Sequence, residues 1–103
     1  MNNEIVKPQR IQRKRLAGWK MPENTVSVTR PGKWGNPFIG EGAAELFKRA
    51  LMDLNAFPMT TPQRLHMRRI RDTYRDLAGK NLACWCAPGT QCHADALLEL
   101  LQT

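Results

Sequence analysis

No apolar run in this 103-residue sequence approaches the roughly 20 residues that a membrane-crossing helix requires. The opening residues Met1, Asn2, Asn3 and Glu4 lack the apolar stretch of a signal peptide, so a cytosolic location without a membrane partner is expected. Cysteine is scarce and odd in number: three residues, all between Cys84 and Cys92. Such a set is a poor disulfide framework and reads instead as thiols, metal ligands or small core residues. Internal repeats and low-complexity segments are absent, and 103 residues suffice for one hydrophobic core but not two. Wholesale disorder is excluded, because hydrophobic residues make up 42% of the chain.

Acidic residues are also in short supply, nine against sixteen lysines and arginines, for a formal net charge of +7. The excess is concentrated in two places. Lys7, Arg10, Arg13, Lys14, Arg15 and Lys20 face only Glu4 in the first twenty residues, and Arg64, Arg68, Arg69, Arg71 and Arg75 form a second group. This balance suits a polyanionic partner such as a nucleotide, a nucleic acid or an anionic protein surface. A solvated basic face with a solubility role is the plainer alternative.

Periodicity places the elements. Residues 1–24 show no clear period and are punctuated by Pro8, Gly18 and Pro22, which predicts an arm with one short strand near Ile11 to Leu16. Residues 24–30 alternate β-branched and polar side chains and predict a strand that Pro31 and Gly32 end. Leu46, Phe47, Ala50, Leu51 and Leu54 recur at three and four, one face of a helix. Thr61 and Pro62 supply an N-cap and a first-turn proline for a second helix, with Met67, Ile70, Tyr74 and Leu77 as its buried stripe and Gly79 as its stop. Residues 81–86 form a short apolar run expected to be a buried strand, and a last helix starts at Thr90 or Gln91 with Ala94, Leu97, Leu98 and Leu101 inward. Strand, helices, strand, helix is a βαβα order. With parallel strands, both post-strand loops open on one sheet edge, where open α/β sheets bind ligands.

That edge collects the residues that carry chemistry. In the first loop, Gly32 and Gly35 permit close backbone approach to a ligand, Arg30 and Lys33 can pair with phosphate, Trp34 offers a stacking face and Asn36 a donor and an acceptor. The alternative is a structural turn in which Asn36 and Pro37 fix the chain and Trp34 fills the core. The second segment has several readings. Cys84, Cys86, Cys92 and His93 are acceptable zinc ligands, although the C-x-C-x5-C-H spacing is tighter than two separated knuckles. Cys92 at a helix start, next to His93, can instead be a reactive thiol. A third reading needs no cofactor: the helix start binds an anion, with His93 and Asp95 as polar or proton-transferring groups and Cys86 on the wall. Core packing of the cysteines is the fourth.

Residues 10–15 (Arg-Ile-Gln-Arg-Lys-Arg), 18–22 (Gly-Trp-Lys-Met-Pro), 33–38 (Lys-Trp-Gly-Asn-Pro-Phe) and 79–86 (Gly-Lys-Asn-Leu-Ala-Cys-Trp-Cys), running on to Cys92, His93, Ala94 and Asp95, resemble a family of bacterial and phage proteins described as domain of unknown function 4326. The resemblance spans nearly the whole chain and implies a Rossmann-like fold distantly related to nucleotide-handling proteins. It also implies that Arg15 and Trp19 belong to the signature, so that residues 1–22 form a basic arm packing on or near the site. A related α/β pattern carries arginine after Cys-His; here position 94 is Ala94, and that arginine's anion contact is not carried over.

The expectation is therefore a single α/β domain over residues 1–103, a small Rossmann-like βαβα unit with an N-terminal basic arm. It would bind, and sequester or modify, a phosphorylated or ribosylated nucleotide-type ligand. Arg30, Lys33 and the last helix would hold the anion, Trp34, Gly35 and Asn36 the ring, with Cys86, Arg15 and Trp19 at the margin and His93, Asp95 and Cys92 as the reacting groups. Nucleic-acid binding through the arm and the arginine-rich helix, and a small zinc module, remain the alternatives. A homodimer that extends the sheet also stays open.

Overall fold

The computed structural model describes residues 8–102. Three strands, β1 (Arg10–Gln12), β2 (Thr25–Ser27) and β3 (Asn81–Cys84), and three helices, α1 (Ala43–Met52), α2 (Thr61–Thr73) and α3 (His93–Leu101), make up the fold, and a short 3-10 turn (Tyr74–Leu77) continues α2. The strands form one all-parallel sheet in the order β1-β3-β2, with Ile11 paired to Ala83 and Val26 to Leu82. The last strand in sequence is thus the central one. Its Leu82, Ala83 and Cys84 are buried, as expected of a parallel strand covered on both faces.

Two sequence expectations about strands change. The unpatterned N-terminal segment was expected to be an arm, but Arg10–Gln12 is an integral edge strand, beginning one residue earlier and ending sooner than the predicted Ile11 to Leu16. Residues 1–7 of that expected arm lie outside the described residues. The predicted strands at 24–30 and 81–86 are shorter as well. The ladder stops where partners run out: Gln12 opposite Cys84 is the last pair on one side, and only the Arg13 and Val28 amides still donate to β3 carbonyls.

The helices follow the predicted stripes. Phe47 and Leu51 of α1, Met67 and Ile70 of α2, Leu77, and Leu97 of α3 meet Val28 and Leu82 in one core. Helix α2 begins one residue before the expected position. Thr60, not Thr61, is the N-cap, because only the 60/63 spacing closes a capping box: the Gln63 amide donates to Thr60 Oγ1 at 3.2 Å and the Thr60 amide to Gln63 Oε1 at 2.9 Å. Gly79 ends this segment at φ 77°, a left-handed conformation that glycine adopts without penalty. Helix α3 starts at His93, later than predicted. Thr90 is already committed to the preceding turn, where both its amide and its hydroxyl donate to Ala87 O.

Candidate functional site

The carboxyl ends of β2 and β3 and the start of α3 do converge on one edge of the sheet. Between them lies a cleft of about 330 Å³. Thr29, Arg30, Asn36 and Phe38 of the loop after β2 form one wall, Gly40, Gly42, Ala43 and Ala44 at the entry to α1 a second, and Cys84, Trp85, Cys86, Gln91, Cys92 and His93 the third.

Three cysteines meet at the floor. Cys84 closes β3, Cys92 caps α3, and Cys86 lies in the turn between them. All three are free, the first and last buried and Cys86 half-buried, and their sulfurs lie within 4.8 Å of one another. A hydrogen bond from the Cys92 thiol holds the Cys84 thiol down to about 6 against the opposing effect of burial. The same contact, reinforced by burial, pushes Cys92 up. The pair thus accommodates one thiolate, supported by its partner's proton, in a cavity wall.

His93 has a fixed proton. Its Nε2 lies 2.7 Å from Val28 O and 3.1 Å from Trp34 O, and since carbonyls only accept, Nε2 carries the hydrogen. Nδ1 is then a bare acceptor, 3.6 Å from Cys92 Sγ. Burial lowers the pKa of the ring below its ordinary value, and Phe47 meets it edge-on with centroids 5.1 Å apart. His93 therefore fastens the loop after β2 to α3. The one ring nitrogen left for chemistry faces a thiol.

The other sequence-predicted residues divide. Arg30 lines the cleft. Asn36 also lines it, but both ends of its side chain are occupied: Nδ2 donates to Ala43 O at 3.0 Å and Oδ1 accepts from the Phe38 amide at 2.9 Å. Trp34 belongs to the core, with Lys33 Nζ 4.7 Å above its ring. Gly35 is needed because a Cβ there would lie 2.9 Å from Arg30 Cα. Asp95 points away from the cleft to an ion pair with Arg10 at 2.7 Å. Trp19 is half-buried and does not line the cleft, and Arg15 reaches it only through Trp85, its guanidinium 4.6 Å from that ring.

Three residues matter to which sequence reasoning assigned no individual role. Trp85, 40% exposed on the cleft wall, carries the guanidinium of Arg13 at 4.5 Å as well as that of Arg15. Arg13 also donates to Ser27 Oγ and Thr29 Oγ1, tying the ends of both outer strands together across β3. Arg10 is a staple: its fork donates to Ala87 O, Thr90 O and Asp95 Oδ2, each at 2.7 Å, and so holds the turn between Cys86 and Cys92. These partners lie 77 to 85 residues from Arg10 in sequence, so no local pattern announces them. Arg10 and Arg13 showed in the sequence only as members of the first basic group and of the Arg-Ile-Gln-Arg-Lys-Arg stretch, neither of which names a partner.

A family model described as Domain of unknown function (DUF4326) matches residues 11–103. No curated protein and no solved structure matches the chain.

Proposed function

The chain belongs to the DUF4326 family, whose description names no chemistry, and from the site itself we propose that this small α/β domain, Rossmann-like in its handling of ligands, binds an anionic nucleotide-type molecule in its cleft and presents it to the cysteine pair. The observation that carries this reading is the convergence of Arg30, the start of α3 and the Cys84–Cys92 pair around one cleft of about 330 Å³ at the carboxyl edge of a parallel sheet. Arg30 and the first amides of α3 supply positive potential for a phosphate. Trp85, not the buried Trp34, offers the ring face for a base. A sulfur nucleophile then lies beside the bound molecule, with His93 Nδ1 3.6 Å from Cys92 Sγ.

A thermal-shift screen of nucleoside mono-, di- and triphosphates tests this. Ligand at 100 times its Kd adds about 2.7 kcal/mol, which is on the order of 10 °C in Tm for a domain of this size. Arg30→Ala is expected to cut the affinity at least tenfold while leaving the unliganded Tm within a few degrees. A flat response to every phosphorylated nucleoside would discard the reading.

The Arg13–Trp85–Arg15 cluster favours a second reading, a platform on which bases of a single strand stack beside cationic side chains. Binding of a short oligonucleotide would then weaken steeply with salt and with Trp85→Ala. Insensitivity to both would leave the small-molecule reading alone.

A further inference from the structure

We infer that Cys84, Cys86 and Cys92 form a mononuclear site for a thiophilic divalent cation of the zinc type, with its fourth coordination position open to the cleft. The inference does not rest on the nucleotide reading, since it needs no organic ligand.

Distance is the first argument. Zinc–thiolate bonds of about 2.3 Å at tetrahedral angles set sulfurs about 3.8 Å apart. The three sulfurs already lie within 4.8 Å of one another, so small side-chain rotations close the shell. A cubane [4Fe–4S] cluster, which gives each cysteine its own iron, calls for a wider circle.

Preorganisation is the second. Cys84 is fixed at the end of the central strand, where the Arg13 amide donates to its carbonyl at 2.7 Å. Cys92 is fixed as the N-cap of α3. The turn between Cys86 and Cys92 is clamped by the Arg10 fork on Ala87 O, Thr90 O and Asp95. Arg10 is itself largely covered, its side chain 12% exposed. Such clamping by groups that touch no metal is the usual support of a rigid coordination site.

Donor chemistry sets the ion. All three donors are sulfur, and the nearby carboxylate, Asp95, is already engaged by Arg10. A set of this kind discriminates against magnesium and calcium and in favour of zinc and similar soft or borderline ions. Three thiolates and a dication sum to one negative charge, which Arg30 on the cleft wall and the amino end of α3 offset.

The open position follows from His93. Its Nε2 is spent on two backbone carbonyls, and its Nδ1, although 3.6 Å from Cys92 Sγ, does not join the set of donor atoms that lie within 4.8 Å of one another. The sequence reading of four ligands therefore reduces to three. All three sulfurs belong to residues lining the cleft, so the missing ligand is a solvent molecule or a group of whatever occupies the cleft. Three protein ligands with one exchangeable position distinguish a reactive centre from a closed structural one.

The test uses the untagged full chain, reduced and then loaded with zinc or cobalt(II). Elemental mass spectrometry is expected to find one equivalent per chain, and the cobalt form to show sulfur-to-metal charge transfer in the near ultraviolet. Adding azide, a small anion, is expected to shift the visible cobalt bands. Cys86 is half-buried, so Cys86→Ser, with its fold checked by circular dichroism, is the informative variant, and metal affinity is expected to fall by at least a factor of ten. No bound equivalent in the reduced wild-type chain, or full retention in folded Cys86→Ser, overturns the site. Cobalt bands unmoved by azide overturn the open position. A chain that binds metal but no phosphorylated nucleoside overturns only the earlier reading, and the reverse result only this one.

Discussion

His93 shows how much one side chain can carry in a small domain. It joins α3 to the Val28 and Trp34 carbonyls and packs its ring on Phe47. His93→Ala removes that packing and leaves two covered carbonyls without a donor, and it is expected to cost about 2–4 kcal/mol, read from the urea midpoint. Loss of ligand binding in that variant would therefore report on the fold as much as on chemistry, which makes Arg30 the cleaner probe of the cleft. Gly35→Ala forces a methyl to within 2.9 Å of Arg30 Cα, and backbone against backbone leaves little to yield. A loss of about 1–3 kcal/mol is expected, together with weaker nucleotide binding, because the displaced residue lines the cleft. Arg10→Lys keeps the charge but not the fork. It can meet only part of the Ala87, Thr90 and Asp95 set, and about 2 kcal/mol of stability should go with the lost charged hydrogen bonds, measured by chemical denaturation. At this scale the sequence was legible in part. The cysteine cluster and Cys92–His93 at a helix start could be read from spacing and alternation. The roles of Trp34 and Asp95 could not, because whether an aromatic ring faces a ligand or the core is settled by partners distant in sequence.

The elements were more readable than their ends. Each helix buries the centre of the stripe that its three-and-four spacing announced, with Leu46, Leu54, Tyr74 and Leu101 half-buried at the margins, since an amphipathic face must be covered whatever the neighbours are. Strand β3 was legible as an apolar run for the same reason. Strand β1 was legible only roughly, as a short strand near Ile11 to Leu16: three half-buried residues, Arg10, Ile11 and Gln12, have no apolar alternation to fix its bounds, and their pairing with β3 is supplied by the backbone. Two consequences can be measured. Thr60→Ala opens the capping box of α2 and should lower stability by about 1 kcal/mol, with Thr61→Ala close to neutral, both read by thermal melting. Removing residues 1–21 takes away a strand of the sheet along with the Arg10 staple. The shortened chain is expected to lose cooperative unfolding in urea, whereas an appended arm would have left the transition intact.

Across the whole molecule, the all-parallel sheet places its post-strand loops on one edge, and the single βαβα order already pointed there. What the order could not give was the place of the N-terminal strand in the sheet, since β1 and β2 never pair with each other. Both wait for β3, whose residues come from the last quarter of the chain. Such pairing closes long loops before any ladder bond forms, at an entropic cost that slows folding. On the ribosome, the first eighty residues can coil their helices but have nothing on which to lay a sheet. The protein becomes competent only when β3 and α3 clear the exit tunnel, and a message cut short before Asn81 yields a product with neither this sheet nor its cleft.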